Sequence, residues 1–126
     1  MLIELDLEGV RLEMPTNTPI LMLRESGGRR RMLPIYIGGP EASSIHFALE
    51  GVTPERPLTH DLFMLTLEAF GAKVSRAIIV DMENDVYFAR LILEAENEIM
   101  ERKIIELDSR PSDCLALCVR CGAPFY

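Results

Sequence analysis

Short polar turns between runs of alternating apolar residues are the feature that most constrains this chain. In the second half of the sequence, apolar residues alternate along 77–81, 86–93 and 99–107. The turns that separate these runs, 83–85 and 95–98, contain three and four residues. Turns of this length join antiparallel neighbours, because parallel strands need a much longer crossover. The sequence therefore predicts a three-stranded antiparallel meander.

The amino-terminal part has the same kind of pattern. From Ile3 to Met14 apolar and polar residues alternate, with one change of phase at Gly9, which predicts a long strand with a bulge. Residues 20–24 and 32–37 flank a turn whose glycines permit the positive φ that a hairpin connection needs. We therefore expect a hairpin here.

Proline and glycine mark three predicted helices. The first runs from Pro40 to Glu50, the second is capped by Thr59 and ends at Gly71, and the third runs from Pro111 to the residue before Gly122. Together with the strands they predict an α+β fold for a single domain over residues 1–126. In it a curved, mainly antiparallel sheet of five or six strands, open or barrel-like, packs with three helices.

Helical periodicity also predicts which faces are buried. The buried stripe of the first helix is expected to contain Ala42, Ile45, Ala48 and Leu49. The second helix is apolar over more than half of its circumference, through Leu62, Phe63, Leu65, Ala69 and Phe70, so we expect it to be covered on two sides. Phe47 and Met64 point away from these faces, and apolar groups so placed often mark subunit contacts. We therefore expect a homo-oligomer.

The charge balance limits the classes of partner. Thirteen basic and twenty acidic residues give a formal net charge of −7, which repels phosphate backbones and acidic membranes. Contact with nucleic acid must then be local or metal-assisted. Residues 1–14 contain several acids instead of a basic and apolar leader, and no segment approaches the roughly 20 apolar residues of a membrane helix. We expect a cytoplasmic protein with no membrane partner.

Four motifs occur in a fixed order along the chain. They are Leu33-Pro34-Ile35-Tyr36-Ile37-Gly38 followed by Glu41-Ala42, Arg56-Pro57-Leu58-Thr59-His60-Asp61-Leu62, Asp108-Ser109-Arg110-Pro111-Ser112-Asp113, and Gly122-Ala123-Pro124-Phe125-Tyr126. In this order and spacing, from about Val10 to the last residue, the chain resembles the bifunctional nuclease domain family, long catalogued as a domain of unknown function. The resemblance implies a small oligomeric α+β domain. It also implies nuclease activity, since both DNase and RNase activity are attributed to plant members.

The motifs contain the groups that phosphodiester hydrolysis needs. In the site hypothesis Asp108 and Asp113 hold a divalent metal, Mg²⁺ or Mn²⁺, together with Asp61. His60 serves as general base or acid, and Arg110 binds the phosphate. These residues lie at the predicted starts of the second and third helices, where free backbone amides also attract a phosphate. If the two helix starts adjoin, they form one polar pocket.

The same residues have a purely structural interpretation. Asp61 and Asp113 lie where helix-capping acids belong, and Arg110 can simply pair with Asp108. On this interpretation the chain is a non-catalytic, oligomeric binding or assembly module. Glu50 matches the family pattern and is added as a candidate metal ligand, whereas His46, four residues before it, is interpreted as a surface or interface histidine.

Two further patterns have a functional and a structural interpretation. Cys114, Cys118 and Cys121 have the spacing of an iron–sulfur motif, but they fall on one stripe of the third predicted helix, which favours core thiols in a reducing compartment. Arg29, Arg30 and Arg31 form the only run of basic residues and lie at the hairpin tip. They are either a contact for DNA or RNA or a solvated loop.

Overall fold

The computed structural model describes residues 2–96 and 102–126 of the chain. Its elements, in chain order, are β1 (Leu5–Glu13), β2 (Thr18–Glu25), β3 (Met32–Tyr36), α1 (Gly39–Leu49), α2 (Thr59–Ala69), β4 (Ala72–Glu83), β5 (Val86–Glu96), β6 (Arg102–Ser109) and α3 (Pro111–Cys121). The predicted α+β class with three helices is confirmed, and the five or six mainly antiparallel strands expected are six. The strands form two three-stranded sheets and no closed barrel among the described residues.

The first sheet has the order β1-β2-β3, and both pairings are antiparallel. The register of β1 against β2 shifts between Leu7 and Gly9, which confirms the predicted bulge. Because side chains alternate across a strand, Leu21 and Leu23 of β2 point to the same face, and both are fully buried. This face supplies one wall of the core.

The second sheet is the predicted meander, in the order β4-β5-β6. Asn84 and Asp85 both have positive φ, the conformation that a tight two-residue hairpin turn requires. β4 begins at Ala72, five residues earlier than expected. The predicted start of the third strand at Ile99 and part of the turn at 95–98 lie outside the described residues.

Residues 124–126 join the two sheets. Phe125 makes bridges to Leu5 of β1 and to Ala77 of β4. The Leu5 N–H donates to the Phe125 carbonyl at 2.8 Å, and the Ile79 N–H donates to the Tyr126 carbonyl at 2.8 Å. The Phe125 side chain is buried in the core between the sheets. The last motif of the sequence is therefore a structural connection between the two sheets.

α3 is the most buried helix. Seven of its residues are buried, among them Cys114, Leu115, Leu117 and Cys118. α1 buries only Ser44 and Ile45, and the expectation for Leu49 is wrong because this residue lies exposed at the end of α1.

None of the three helices exceeds eleven residues, about 16 Å at 1.5 Å per residue, so no helix among the described residues can span a membrane.

The predicted faces of α2 are wrong. Its predicted apolar face is exposed, with Leu62, Phe63, Leu65, Ala69 and Phe70 all at the surface, and no residue of α2 is buried. Met64, expected to point away from the core, packs against it together with Leu67. Thr59 is the first helical residue and not the cap; the cap is Leu58, whose N–H donates to Asp61 at 2.9 Å. α2 is covered on one side only within this chain.

Candidate functional site

The first turns of α2 and α3 lie beside α1 and border a cavity of about 440 Å³. The residues of this cavity that carry chemistry are Glu41 and Ser44 from α1, His60 from α2, and Arg110 and Asp113 from the start of α3. Its volume lies within the range of roughly 300–1,000 Å³ typical of small-molecule sites. The cavity therefore unites the second and third motifs with α1, as the sequence predicted for His60, Arg110 and Asp113.

His60 is held at both ring nitrogens. Nδ1 lies 2.6 Å from the Ser44 Oγ, and Nε2 lies 2.8 Å from the Asp113 Oδ1. An ionised carboxylate can only accept a hydrogen bond, so Nε2 carries the hydrogen that faces Asp113. In the neutral ring Nδ1 then accepts the hydrogen of the Ser44 hydroxyl. The side chain with which His60 can exchange a proton in this arrangement is Ser44.

Arg110 connects Asp113 with α1. Its Nε donates to the Asp113 Oδ2 at 2.8 Å, and a terminal nitrogen lies 2.6 Å from the Glu41 Oε1. Burial raises the pKa of Asp113, but hydrogen bonds from Arg110 and His60 outweigh it and leave this pKa below its ordinary value. The hydrogen bond to Asp113 raises the pKa of Arg110. Asp113 is therefore ionised at neutral pH, and the 64% exposed Arg110 side chain remains accessible from solvent.

Arg120 of α3 contacts both Ser44 and Asp61. Its Nε donates to the Asp61 Oδ1 at 2.8 Å, and a terminal nitrogen donates to the Ser44 Oγ at 3.0 Å. The hydrogen bond from Arg120 lowers the pKa of Asp61, so this pair is charged on both sides. The Arg120 side chain is only 10% exposed. Asp61 thus does not border this cavity, and it pairs with Arg120, not with His60.

These contacts form one continuous polar chain that links the three helices. It runs through Glu41, Arg110, Asp113, His60, Ser44, Arg120 and Asp61. Sequence reasoning missed Ser44 and Arg120. The signal for Arg120 was available, since it is the only charged residue between Cys114 and Cys121, in a helix predicted to place its thiols in the core. Ser44 carried no such signal, because a serine on a helix is usually solvated or bonded to its own backbone.

Comparison with known proteins identifies the family of this chain. The model of the bifunctional nuclease domain matches residues 21–126. The chain belongs to this family. An uncharacterized protein of Mycobacterium tuberculosis is 40% identical over 123 residues, which cover 98% of this chain and 70% of that protein.

Two plant relatives of this bifunctional nuclease domain are more distant. Bifunctional nuclease 1 of Oryza sativa subsp. indica is 28% identical over 129 residues, 93% of this chain and 38% of the rice protein. Bifunctional nuclease 1 of Arabidopsis thaliana is 26% identical over 106 residues, 84% of this chain and 32% of that protein. The chain thus spans about a third of the length of the relatives whose names state an activity.

The predicted metal ligands do not meet in this bifunctional nuclease domain. Asp108 lies on β6, where its Oδ1 pairs with Arg90 of β5 at 2.7 Å, so the predicted pair of Asp108 with Arg110 does not form. Glu50 is exposed at the end of α1. In residues 2–96 and 102–126, no three His, Cys, Asp or Glu side chains form a group that could hold a metal ion. Within the described residues, the predicted ligands Asp108, Asp113 and Glu50 are therefore not gathered into one metal site.

The cysteines and the arginine run have mainly structural contacts. Burial raises the pKa of Cys114 to about 11 and that of Cys118 to about 12, as expected for core thiols, whereas Cys121 is exposed and the expectation for it is wrong. At the hairpin tip, Arg31 pairs with Glu25 at 2.8 Å, and the hydrogen bond from Arg31 lowers the pKa of that carboxyl group. The charge of the arginine run is therefore partly neutralised. His46 is exposed on α1, as expected.

Proposed function

We propose that this chain hydrolyses phosphodiester bonds of DNA or RNA at the cavity between the starts of α2 and α3. The observation that carries the proposal is the position of His60, between the Ser44 hydroxyl and an ionised Asp113. A histidine oriented by a carboxylate and bonded to a hydroxyl is an arrangement suited to general acid–base catalysis. Membership of a family with plant members named bifunctional nuclease supports the choice of substrate.

Arg110 is proposed to bind the scissile phosphate. Its side chain is the most exposed cation of the cavity, and a guanidinium group can donate two parallel hydrogen bonds to phosphate oxygens. The start of α2 borders the same cavity through Leu58, Thr59 and His60, and the N–H groups at a helix start favour an anion. Arg29 and Arg30 at the hairpin tip are proposed as a second, weaker contact with the nucleic-acid backbone, since Arg31 is paired with Glu25.

Metal assistance is a separate proposal that the arrangement within one chain does not support. Glu50, Asp108 and Asp113 are not gathered into a metal-binding group among the described residues. No step of the proposed reaction is therefore assigned to a metal. A nuclease assay with and without EDTA tests this directly, and we expect hydrolysis driven by the side chains of the cavity to persist in EDTA.

The test of the proposed function compares two histidine variants. His60→Asn removes the proton acceptor of the cavity, and we expect it to lower the rate about 100-fold or more, the usual contribution of general acid–base catalysis. His46→Asn changes an exposed histidine on α1 and should leave the rate unchanged. Both proteins are purified in parallel and assayed on single-stranded and double-stranded DNA and RNA. Equal rates in the two variants would attribute the activity to a contaminating nuclease and refute the proposal.

A second candidate function is a homo-oligomeric binding or assembly module. The observation that favours it is the exposed apolar face of α2, where Phe70 is 81% exposed. Of the two residues expected at the contact, Phe47 is half-buried beside the cavity and Met64 packs against the core. The contact is now proposed through Leu62, Leu65 and Phe70. Light scattering at micromolar concentration tests self-association, and a mass of 14.2 kDa would refute it. The absence of hydrolysis in a stable oligomer would favour this function over the nuclease.

We also propose a cytoplasmic location. Cys114, Cys118 and Cys121 are free thiols, which is typical of proteins in a reducing compartment. Fractionation of cells that produce the protein tests this proposal.

A further inference from the structure

We propose that Ser44 is a covalent nucleophile, and that the cavity acts on phosphodiesters through a covalent serine phosphodiester at this residue. The inference rests on the proposed function and deepens it. Its basis is the geometry around one hydroxyl: Ser44 Oγ lies 2.6 Å from His60 Nδ1, and His60 Nε2 lies 2.8 Å from Asp113. These are the three groups of the serine–histidine–carboxylate triad that activates hydroxyl nucleophiles on unrelated folds, with the roles of the two ring nitrogens exchanged.

The contacts of Ser44 are unusual for a serine in a helix. A helical serine ordinarily faces solvent or bonds to the carbonyl four residues earlier. The Ser44 hydroxyl instead bonds to His60 of α2 and to Arg120 of α3, although the residue is only 5% exposed. It nevertheless borders the cavity. A buried hydroxyl that reaches two other helices and the wall of a cavity is placed for chemistry as well as for packing.

The two partners of Ser44 have complementary effects on its oxygen. The guanidinium group of Arg120 donates to Oγ, which stabilises negative charge on that oxygen. His60 Nδ1 accepts the hydroxyl hydrogen, which prepares the proton transfer. Arg120 in turn is held by Asp61 at 2.8 Å, so its position does not depend on substrate. Arg120 and Asp61 are therefore positioning residues for Ser44, which assigns a role to Asp61 that differs from metal binding.

The proposed reaction balances without an oxidant, reductant or second cofactor. Ser44 Oγ attacks the phosphorus, and its proton moves to His60 Nδ1 while Asp113 stabilises the imidazolium. The bond from phosphorus to the leaving oxygen breaks, and that oxygen takes the proton from Nδ1. Water then gives a proton to Nδ1 and attacks the phosphorus of the serine phosphodiester; the bond from phosphorus to Oγ breaks, and Oγ recovers its proton. The products are an alcohol and a phosphomonoester.

The test uses the full chain and a fluorophosphonate probe, which loses fluoride when a serine hydroxyl attacks its phosphorus. Intact-mass spectrometry counts the adducts, and peptide mapping locates them. We expect one adduct per chain, at Ser44. Ser43, which is exposed, borders the same cavity and is the matched control: Ser43→Ala should be labelled as fast as the parent chain. His60→Asn should be labelled about 100-fold more slowly or less completely.

The outcomes separate this inference from the proposed nuclease function. Labelling at Ser44 in a chain without nuclease activity would support the nucleophile and refute the choice of substrate. A Ser44→Ala chain that has the circular dichroism spectrum of the parent and keeps its nuclease activity would overturn the nucleophile and leave the nuclease standing. Absence of an adduct at Ser44 in the parent chain would also overturn it. With a chiral phosphorothioate diester hydrolysed in oxygen-labelled water, two displacements predict retention at phosphorus, and inversion would overturn the covalent step.

Discussion

α2 and α3 are similar as local structures and opposite in their burial. Both helices have eleven residues, and both place an aspartate in the first turn, Asp61 and Asp113. The glycines that follow them, Gly71 and Gly122, both have positive φ. Yet seven residues of α3 are buried and none of α2 is. The comparison shows that an apolar composition makes a helix suitable for burial but does not decide whether other elements cover it.

The difference arises from the neighbours of each helix. α3 packs against α1, β4 and β5, so its Leu115 and Leu117 are enclosed. α2 packs on β4 and α3 with one face, and its other face meets solvent within this chain. The burial of polar side chains also differs between α3 and α2. Arg120 of α3 is enclosed, whereas the exposed face of α2 carries no buried polar group among the described residues.

Matched leucine truncations should give the largest effect. Leu115→Ala in α3 is expected to lower the free energy of unfolding by about 2–5 kcal/mol, because it leaves a cavity in a packed core. Leu65→Ala in α2 should cost below about 1 kcal/mol, since that side chain is about half exposed. Urea unfolding at a protein concentration where the chain is monomeric measures both values. Similar losses of unfolding free energy for the two variants would contradict the difference in burial between α3 and α2.

Arg110, which precedes α3, and Arg120 within α3 should differ in the same direction. Arg120→Leu leaves Asp61 and Ser44 without their donor in a largely buried setting, and we expect a loss of about 2–4 kcal/mol. Arg110→Gln removes a cation that is mostly exposed, and its loss should stay below about 1 kcal/mol. Thermal unfolding of the two variants at the same pH and salt concentration checks the order. A costlier Arg110→Gln would contradict the burial argument.

Acid should lower the free energy of unfolding through the carboxylates at the starts of α2 and α3. The pKa values of Asp61 and Asp113 lie below the ordinary 3.8 in the folded chain. A lowered folded pKa adds stability above the unfolded value, and that stability is lost as the pH falls from about 3.8 toward the folded pKa. The unfolding free energy of the parent chain should therefore decrease over this interval. Asp61→Asn and Asp113→Asn should each decrease less steeply, and an unchanged slope in both would contradict the assignment of charge.

Charges on the exposed face of α2 should alter assembly more than stability. Leu65→Glu is expected to shift the oligomer toward 14.2 kDa in light scattering, because it introduces a charge into the proposed contact. Its effect on the unfolding of the monomer should stay within about 0.5 kcal/mol. Leu12→Glu, an equally exposed leucine on β1, is the control and should leave the mass unchanged. Equal masses for both variants would place the subunit contact elsewhere.

The smallest effect is expected for Asp108→Asn. Asp108 forms a surface pair with Arg90 on adjacent strands, and its side chain is 73% exposed. Such pairs contribute about 0–1 kcal/mol, so stability should hardly change. The nuclease rate should also be unchanged in the presence and absence of Mg²⁺. A nuclease rate that falls with this variant and is restored by added metal would instead support the metal site that the motifs predicted at Asp108 and Asp113.

Local patterns in the sequence accounted for most elements. The hairpin turn, the bulge at Gly9 and the start of α3 at Pro111 were all predictable, because each depends on residues close together in the chain. The faces of α2 were not, since the same apolar residues suit a core or an exposed contact surface. Of the candidate site, His60, Arg110 and Asp113 were predicted to converge and do so. Asp108 and Glu50 lie apart from them.

The sequence alone determined the order of the strands and helices, the positions of their turns and the family to which the chain belongs. These follow from short-range rules: alternation, proline and glycine at helix ends, and motifs of a few residues. Only the tertiary structure decided that Ser44 and Arg120 meet His60 and Asp61. Ser44 and Arg120 are 76 positions apart in the chain, and such a contact depends on how α1 and α3 pack. No pattern within a single helix predicts this contact between two helices, because packing is a property of the whole core.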